Sequence, residues 1–224
     1  MTTYSNSPRL IKSGIVLVDP QTLQPIQNGI VPGGMIALQY NPDSLSRTLQ
    51  ASSTGGDGQD RSEAMRLKGP PVETIKLEAE IDATDQLNRA GGNAIQYGIQ
   101  PQLAALEMLV YPSSRQIEDS RRLASTGTLE ILPMQAPLTL FIWSKSRIIP
   151  VRVTEFSITE EAFDPDLNPI RAKISLGLRV LNMNDLGFDH RGSDLFSTYQ
   201  KEKESLARKN NRTDFGNLGI GGIS

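Results

Sequence analysis

The sequence contains no cysteine and a single histidine, His190, in 224 residues. Without a thiol, disulfide scaffolds, cysteine zinc sites, iron–sulfur clusters and thiol nucleophiles are excluded, and no redox compartment can be inferred. One histidine leaves no imidazole cluster for a metal. Any Ser-His-Asp arrangement would depend on a residue flanked by Asp189 and Arg191, with nothing in the sequence to orient it. Basic charge is also scarce: 23 Lys and Arg stand against 25 Asp and Glu, a net charge of −2. No positive field therefore proposes a nucleic acid partner. The longest strongly apolar run, 138–143, is far shorter than the roughly 18 to 20 residues of a membrane-spanning helix. The opening MTTYSNSPRL has no basic stretch leading into an apolar one. The expectation is a soluble protein made in the cytoplasm, with no catalytic residues, no metal, no cofactors, no nucleic acid and no membrane insertion.

What the chain does have is period-two alternation. Ile75, Leu77, Ala79 and Ile81 alternate with Lys76, Glu78 and Glu80, and Ile170, Ala172, Ile174, Leu176, Leu178 and Val180 alternate with Arg171, Lys173, Ser175, Gly177 and Arg179. Both read as strands with one dry and one wet face. Further strands are expected at 35–40, 127–132, 138–143 and 147–158, where Pro150 points to an edge or a strand start. Residues 1–33 mix short apolar pieces with turn formers and read as an extended arm or an edge hairpin. Residues 50–64 hold no large apolar side chain, cannot offset their ordering entropy by burial, and read as a mobile loop.

Two helices are expected. One runs over 101–110, with Pro101 in its first turn and Leu103, Leu106, Leu109 and Val110 on one face. The other runs over 193–208 and carries Leu195, Phe196, Tyr199 and Leu206. It lies beyond the last core strand, so these side chains, with Phe215 of the glycine-rich tail, are the candidates for contact with a partner. The class is mainly β, α+β.

The short constellations read as structure. Residues 164–168, DPDLN, begin like a calcium loop, but Pro169 and Ser175 stand where that loop needs Gly and Glu, so a turn is expected. Asp82 and Asp85 follow a strand and open a short helix, where Asp serves as a cap. Gly55-Gly56-Asp57-Gly58 lacks the Lys-Ser/Thr of a phosphate loop. His190 is given no role. The charges Lys76, Glu78, Glu80, Arg171, Lys173 and Arg179 are a solvated strand face or, if the sheet closes across subunits, a channel lining. Both readings stay open.

Four blocks carry a resemblance: LQYNPDSLSRTL at 38–49, GPPVETIKLEAEIDATD at 69–85, GIQPQLAALEMLVYP at 98–112 and FDPDLNPIRA at 163–172. Together they resemble the tube proteins of contractile injection systems, the phage-tail-like particles, in family order across about residues 35–182. The resemblance implies an antiparallel tube-type β-sandwich or barrel with a packed helix, six copies of which close into one ring barrel around a lumen. It divides the chain into an arm at 1–34, a tube-type domain at 35–182 with a mobile loop at 50–66, and an amphipathic helix and glycine-rich tail at 183–224. It implies a structural, non-enzymatic tube initiator or adaptor, a homohexamer joining the spike hub to the inner tube and templating its polymerisation. The neighbouring tube ring, spike hub and baseplate or sheath proteins would be its partners, in a particle that is released or anchored. The six strand charges above then become candidates for the ring interface or lumen. Some members carry a C-terminal LysM module, and none is visible after residue 183, which leaves the helix at 193–209 or the arm to make baseplate contacts. The alternative is a peripheral binding module of the same particle, docking cargo or envelope through that helix.

Overall fold

The computed structural model describes residues 12–39, 41–52, 67–84, 92–125 and 136–210. Seven strands pair antiparallel throughout: β1 (Gly14–Val18), β2 (Met35–Ala37), β3 (Leu45–Gln50), β4 (Val72–Asp82), β5 (Leu138–Ser144), β6 (Arg147–Phe163) and β7 (Pro169–Val180). They form one sheet in the order β2-β1-β5-β6-β7-β4-β3. Five helices accompany it among the described residues: α1 (Gly92–Tyr97), α2 (Gln100–Glu107), α3 (Ser114–Ser125), α4 (Met183–Leu186) and α5 (Arg191–Arg208). The class is the expected mainly β, α+β one. Among the described residues the sheet does not close, and β2 and β3 are its two edges.

The alternating segments build the centre. On the dry face Ile75 lies opposite Leu178, Leu77 opposite Leu176, Ala79 opposite Ile174 and Ile81 opposite Ala172, all buried. Each large aliphatic side chain buried there contributes about 1.5–3 kcal/mol. Ile99, Leu103 and Leu106 at α2, and Phe196 and Tyr199 of α5, complete the same core.

β6 shows how a slip in alternation becomes geometry. Its buried positions Ile149 and Val151 and the half-buried Val153 are followed by Phe156 and Ile158, so the phase moves by one residue. The ladder absorbs the slip as a bulge, Val153 pairing with Leu178 and Glu155 with Gly177. The extra residue, Thr154, donates its hydroxyl to the Gly177 carbonyl at 3.1 Å. A Cβ on Gly177 would lie 2.9 Å from Glu155 Cβ, so glycine is what lets the bulged strand approach. β6 runs five residues past its expected end at 158.

Pro150 stands near the start of β6, which is an interior strand rather than an edge. Its carbonyl accepts from Leu181 N–H at 2.9 Å, just past the last β6–β7 pair, Val151 with Val180. N and O of one residue face the same neighbour in an antiparallel ladder, so the absent N–H costs one bond at the end of the β6–β7 ladder and none toward β5, where Pro150 lies opposite Leu140.

The arm expected at 1–34 contributes β1 to the sheet interior, where it pairs with β2 and β5, so residue 34 lies inside the β1–β2 hairpin. β2 and β3, consecutive in sequence, occupy opposite edges, and residues 38–44 connect them. The link is tied to β4 by Gln39. Its side-chain amide donates to the Asp82 carbonyl at 2.6 Å and accepts from Asp82 N–H at 3.0 Å, as a strand residue would.

α1, α3 and α4 do not appear among the expected helices. α3 buries no side chain, and Ile117, Leu123 and Ala124 are its only apolar residues. Its N-terminal signal is Ser113 and Gln116: Ser113 Oγ accepts from Gln116 N–H at 3.2 Å, and Gln116 Oε1 accepts from Ser113 N–H at 3.0 Å. The strand expected at 127–132 and residues 53–66 of the loop lie outside the described residues.

Candidate functional site

The wet face of the sheet collects the six predicted strand charges. Lys76, Glu78 and Glu80 of β4 lie beside Gly177, Ser175 and Lys173 of β7, while Asp82 faces Arg171 and Thr74 faces Arg179. All four cations are ion-paired within the chain. Lys76 meets Glu155 of β6 at 2.8 Å, Arg171 meets Asp82 at 3.2 Å and Glu80 at 3.8 Å, Lys173 meets Glu161 at 2.7 Å, and Arg179 meets Asp185 of α4 at 2.7 Å. The Glu161 hydrogen bond raises the Lys173 ammonium above its ordinary value. Hydrogen bonds from Thr84, supplemented by Arg171, hold the Asp82 carboxyl below its ordinary value. Thr84 N–H reaches Asp82 Oδ1 at 2.7 Å, the capping contact expected after β4. Glu78 makes no ion pair among the described residues. It lines a hollow of about 690 Å³ with Asp43, Ser44, Glu80, Ser157 and Lys173.

The opposite face holds an ion cluster that sequence reading missed. Glu73, with only 3% of its side chain exposed, accepts from Arg47 Nε at 2.8 Å, from Tyr199 Oη at 3.0 Å and from Lys203 Nζ at 2.8 Å. Arg47 Nη2 also donates to Tyr199 Oη at 3.1 Å, and Lys203 Nζ stands 3.9 Å over the Tyr199 ring. Burial pushes the Glu73 carboxyl up, but hydrogen bonds and charge from Lys203 and Arg47 outweigh it and leave the group below its ordinary value. Burial, joined by the Glu73 charge, pushes the Tyr199 phenol up to about 12. The cluster joins β3, β4 and α5.

That cluster changes the reading of the C-terminal helix. Phe196 and Tyr199, predicted as partner contacts, are buried in this chain's own core, because the dry face of the sheet needs a cover and α5 supplies it. Leu195 packs, half-buried, against the satellite cluster of Val16, Val18, Leu138 and Leu140. Leu206 alone of the four on α5 is exposed, at 54%, and Phe215 lies outside the described residues. His190, given no role, caps α5: its Nδ1 accepts from Gly192 N–H at 2.9 Å. Asp164 organises the β6–β7 turn in the way DPDLN suggested, accepting from Asp166 and Asn168 N–H at 2.9 and 2.8 Å.

Among the described residues no group of three or more His, Cys, Asp or Glu could hold a metal ion, and no helix is long and apolar enough to cross a membrane.

No protein-family model and no curated protein matches the sequence. Among solved structures the chain is similar to one from the tail of an empty gene transfer agent particle of C6 symmetry, at 11% identity and a TM-score of 0.28, covering 75% of this chain and 90% of that one. It is also similar to a chain of the virion of the native gene transfer agent particle, at 11% identity and a TM-score of 0.26, covering 76% and 95%. Likenesses of this size assign neither a fold nor a role by themselves.

Proposed function

We propose that the chain is a structural ring subunit of a phage-tail-like injection particle, a tube initiator or adaptor that joins the spike hub to the inner tube and templates its growth. The observation that carries the reading is the division of the sheet. Across β4, β6 and β7 one face is sealed by the chain's own helices and the other is hydrophilic and ion-paired, and the edge strands β2 and β3 each pair with one strand only among the described residues. An open edge invites uncontrolled pairing, and closing copies into a ring removes it. The wet face then lines the lumen, Lys76, Glu78, Glu80, Arg171, Lys173 and Arg179 with it. The four blocks of the resemblance support the same reading, since they supply β3, β4, α2 and the β6–β7 turn. The role is positional and needs no chemistry.

Electron microscopy of the purified chain, and of particles with and without it, tests the proposal. Closed six-fold rings beside the spike, and particles without tubes when the chain is deleted, are expected. A protein that stays monomeric and whose deletion leaves particles intact would refute it.

A further inference from the structure

Leu167, in the β6–β7 turn, has a φ of 64° and is 77% exposed. A leucine in left-handed backbone is strained, and a side chain this exposed buries little surface against the described residues to offset that strain. The turn holds it rigidly. Leu167 N–H donates to the Asp164 carbonyl at 3.0 Å, Asp164 N–H to the Asn168 carbonyl at 2.9 Å, and Asn168 Nδ2 to Asp164 Oδ2 at 2.9 Å. The turn is also pinned to the start of α2, where Ile99 N–H donates to the Pro169 carbonyl at 2.8 Å and Gly98, at φ 56°, packs against Pro169 too closely for a Cβ. The result is a fixed apolar knob, with half-exposed Phe163 at the end of β6 just before the turn.

At the other end of α2 is an apolar hollow of about 690 Å³, lined by Ile26, Ile30, Val31, Met108, Tyr111 and Pro137. Ile30 and Tyr111 are exposed there. α2 holds knob and hollow about 12 Å apart along its axis, too far for the knob to enter the hollow of its own chain. Asp166 beside the knob and Arg115 on the rim of the hollow are exposed, opposite in sign, and without an ion pair among the described residues.

We propose that Leu167 seats in the hollow at the C-terminal end of α2 of a second copy, with Asp166 facing Arg115, so that copies join head to tail. Two different surfaces in contact make a heterologous interface, the kind that generates rings or stacks. The inference rests on the reading of the chain as a ring-forming subunit and names a contact that would hold it.

The absence of cysteine allows a direct test. The full chain with Leu167→Cys is mixed with the full chain carrying Tyr111→Cys and oxidised. A mixed disulfide dimer is expected, in yield several-fold above that from Leu167→Cys mixed with Phe188→Cys, Phe188 being as exposed as Leu167. Equal yields overturn the contact. Leu167→Gly separates assembly from folding: it relieves the strained φ, so the thermal midpoint should equal or exceed that of the unchanged chain while the assembled mass falls. An unchanged assembled mass overturns the contact, as does an unmodified chain that is monomeric throughout, since the hollow then serves a different partner. Rings that form without the Leu167–Tyr111 crosslink refute the contact and leave the ring reading intact. A crosslink without closed rings supports the contact and refutes that reading.

Discussion

Glu73 and Lys76 are three residues apart in β4 and face opposite sides of the sheet. Both are ion-paired, yet the pairs differ in kind. Lys76 and Glu155 meet with 60% and 66% of their side chains in water, where solvent screening and side-chain entropy leave such a pair about 0–1 kcal/mol. Glu73 is enclosed and binds two cations and a phenol contributed by a strand and a helix. The same chemistry decorates one face and fastens the other. A charge on a dry face is costly without partners, so each group of the Glu73 cluster depends on the others.

The largest effect should come from Glu73→Gln. The substitution keeps the size and leaves Arg47 and Lys203 without their counter-charge. Breaking a buried pair in this way costs about 3–5 kcal/mol, and the lower end applies because 27% of the Arg47 and 37% of the Lys203 side chain remain exposed. Urea unfolding measures it, and a loss below about 1 kcal/mol would show the cluster to be ornamental. The pH dependence follows. A carboxyl held below its ordinary 4.5 stabilises the fold above that value, and the stabilisation disappears as pH falls through the lowered one. The acid limb of the stability curve should therefore flatten in the Gln variant.

The sequence displays the wet pairs far better than the buried cluster. Strict alternation at 75–81 and 170–180 places every charge of those strands on one side, and antiparallel pairing then brings Glu80 beside Lys173 and Asp82 beside Arg171. Glu73 breaks no visible pattern, because its neighbours Val72 and Thr74 set no strong period before the alternation begins. Its partners stand 26, 126 and 130 residues away, and only the tertiary path of α5 brings the last two to it. For the same reason Phe196 and Tyr199 read as an unpartnered apolar face: their spacing shows amphipathicity and is silent about which surface they meet. The phase slip between Val153 and Phe156 was not read as a bulge from the sequence, because only the register pairs it with Gly177.

A smaller effect is expected at the edge of the same cluster. Tyr199→Phe keeps the ring under Lys203 and removes the hydroxyl that donates to Glu73 and accepts from Arg47. The loss should be about 1–2 kcal/mol, that of a buried hydrogen bond whose charged partners retain each other. Ultraviolet titration provides an independent readout: of the five tyrosines, one should ionise near 12, and that step should vanish in the Phe variant. Survival of the step would assign it to another tyrosine.

The smallest effect should come from the wet face. Lys76→Ala removes one member of an exposed pair and leaves Glu155 fully able to find water, so the unfolding free energy of the single chain should change by less than about 0.5 kcal/mol. A double-mutant cycle with Glu155→Ala should return a coupling of similar size, and it should shrink in high salt because screening at about 10 Å or less weakens exposed pairs first. A coupling above about 2 kcal/mol in the isolated chain would erase the contrast with Glu73 and make the wet face structural. If the coupling is small in the free chain and large only after copies assemble, water has been excluded from that face by a neighbour. The pair would then belong to an interface between copies rather than to the wall of an open lumen.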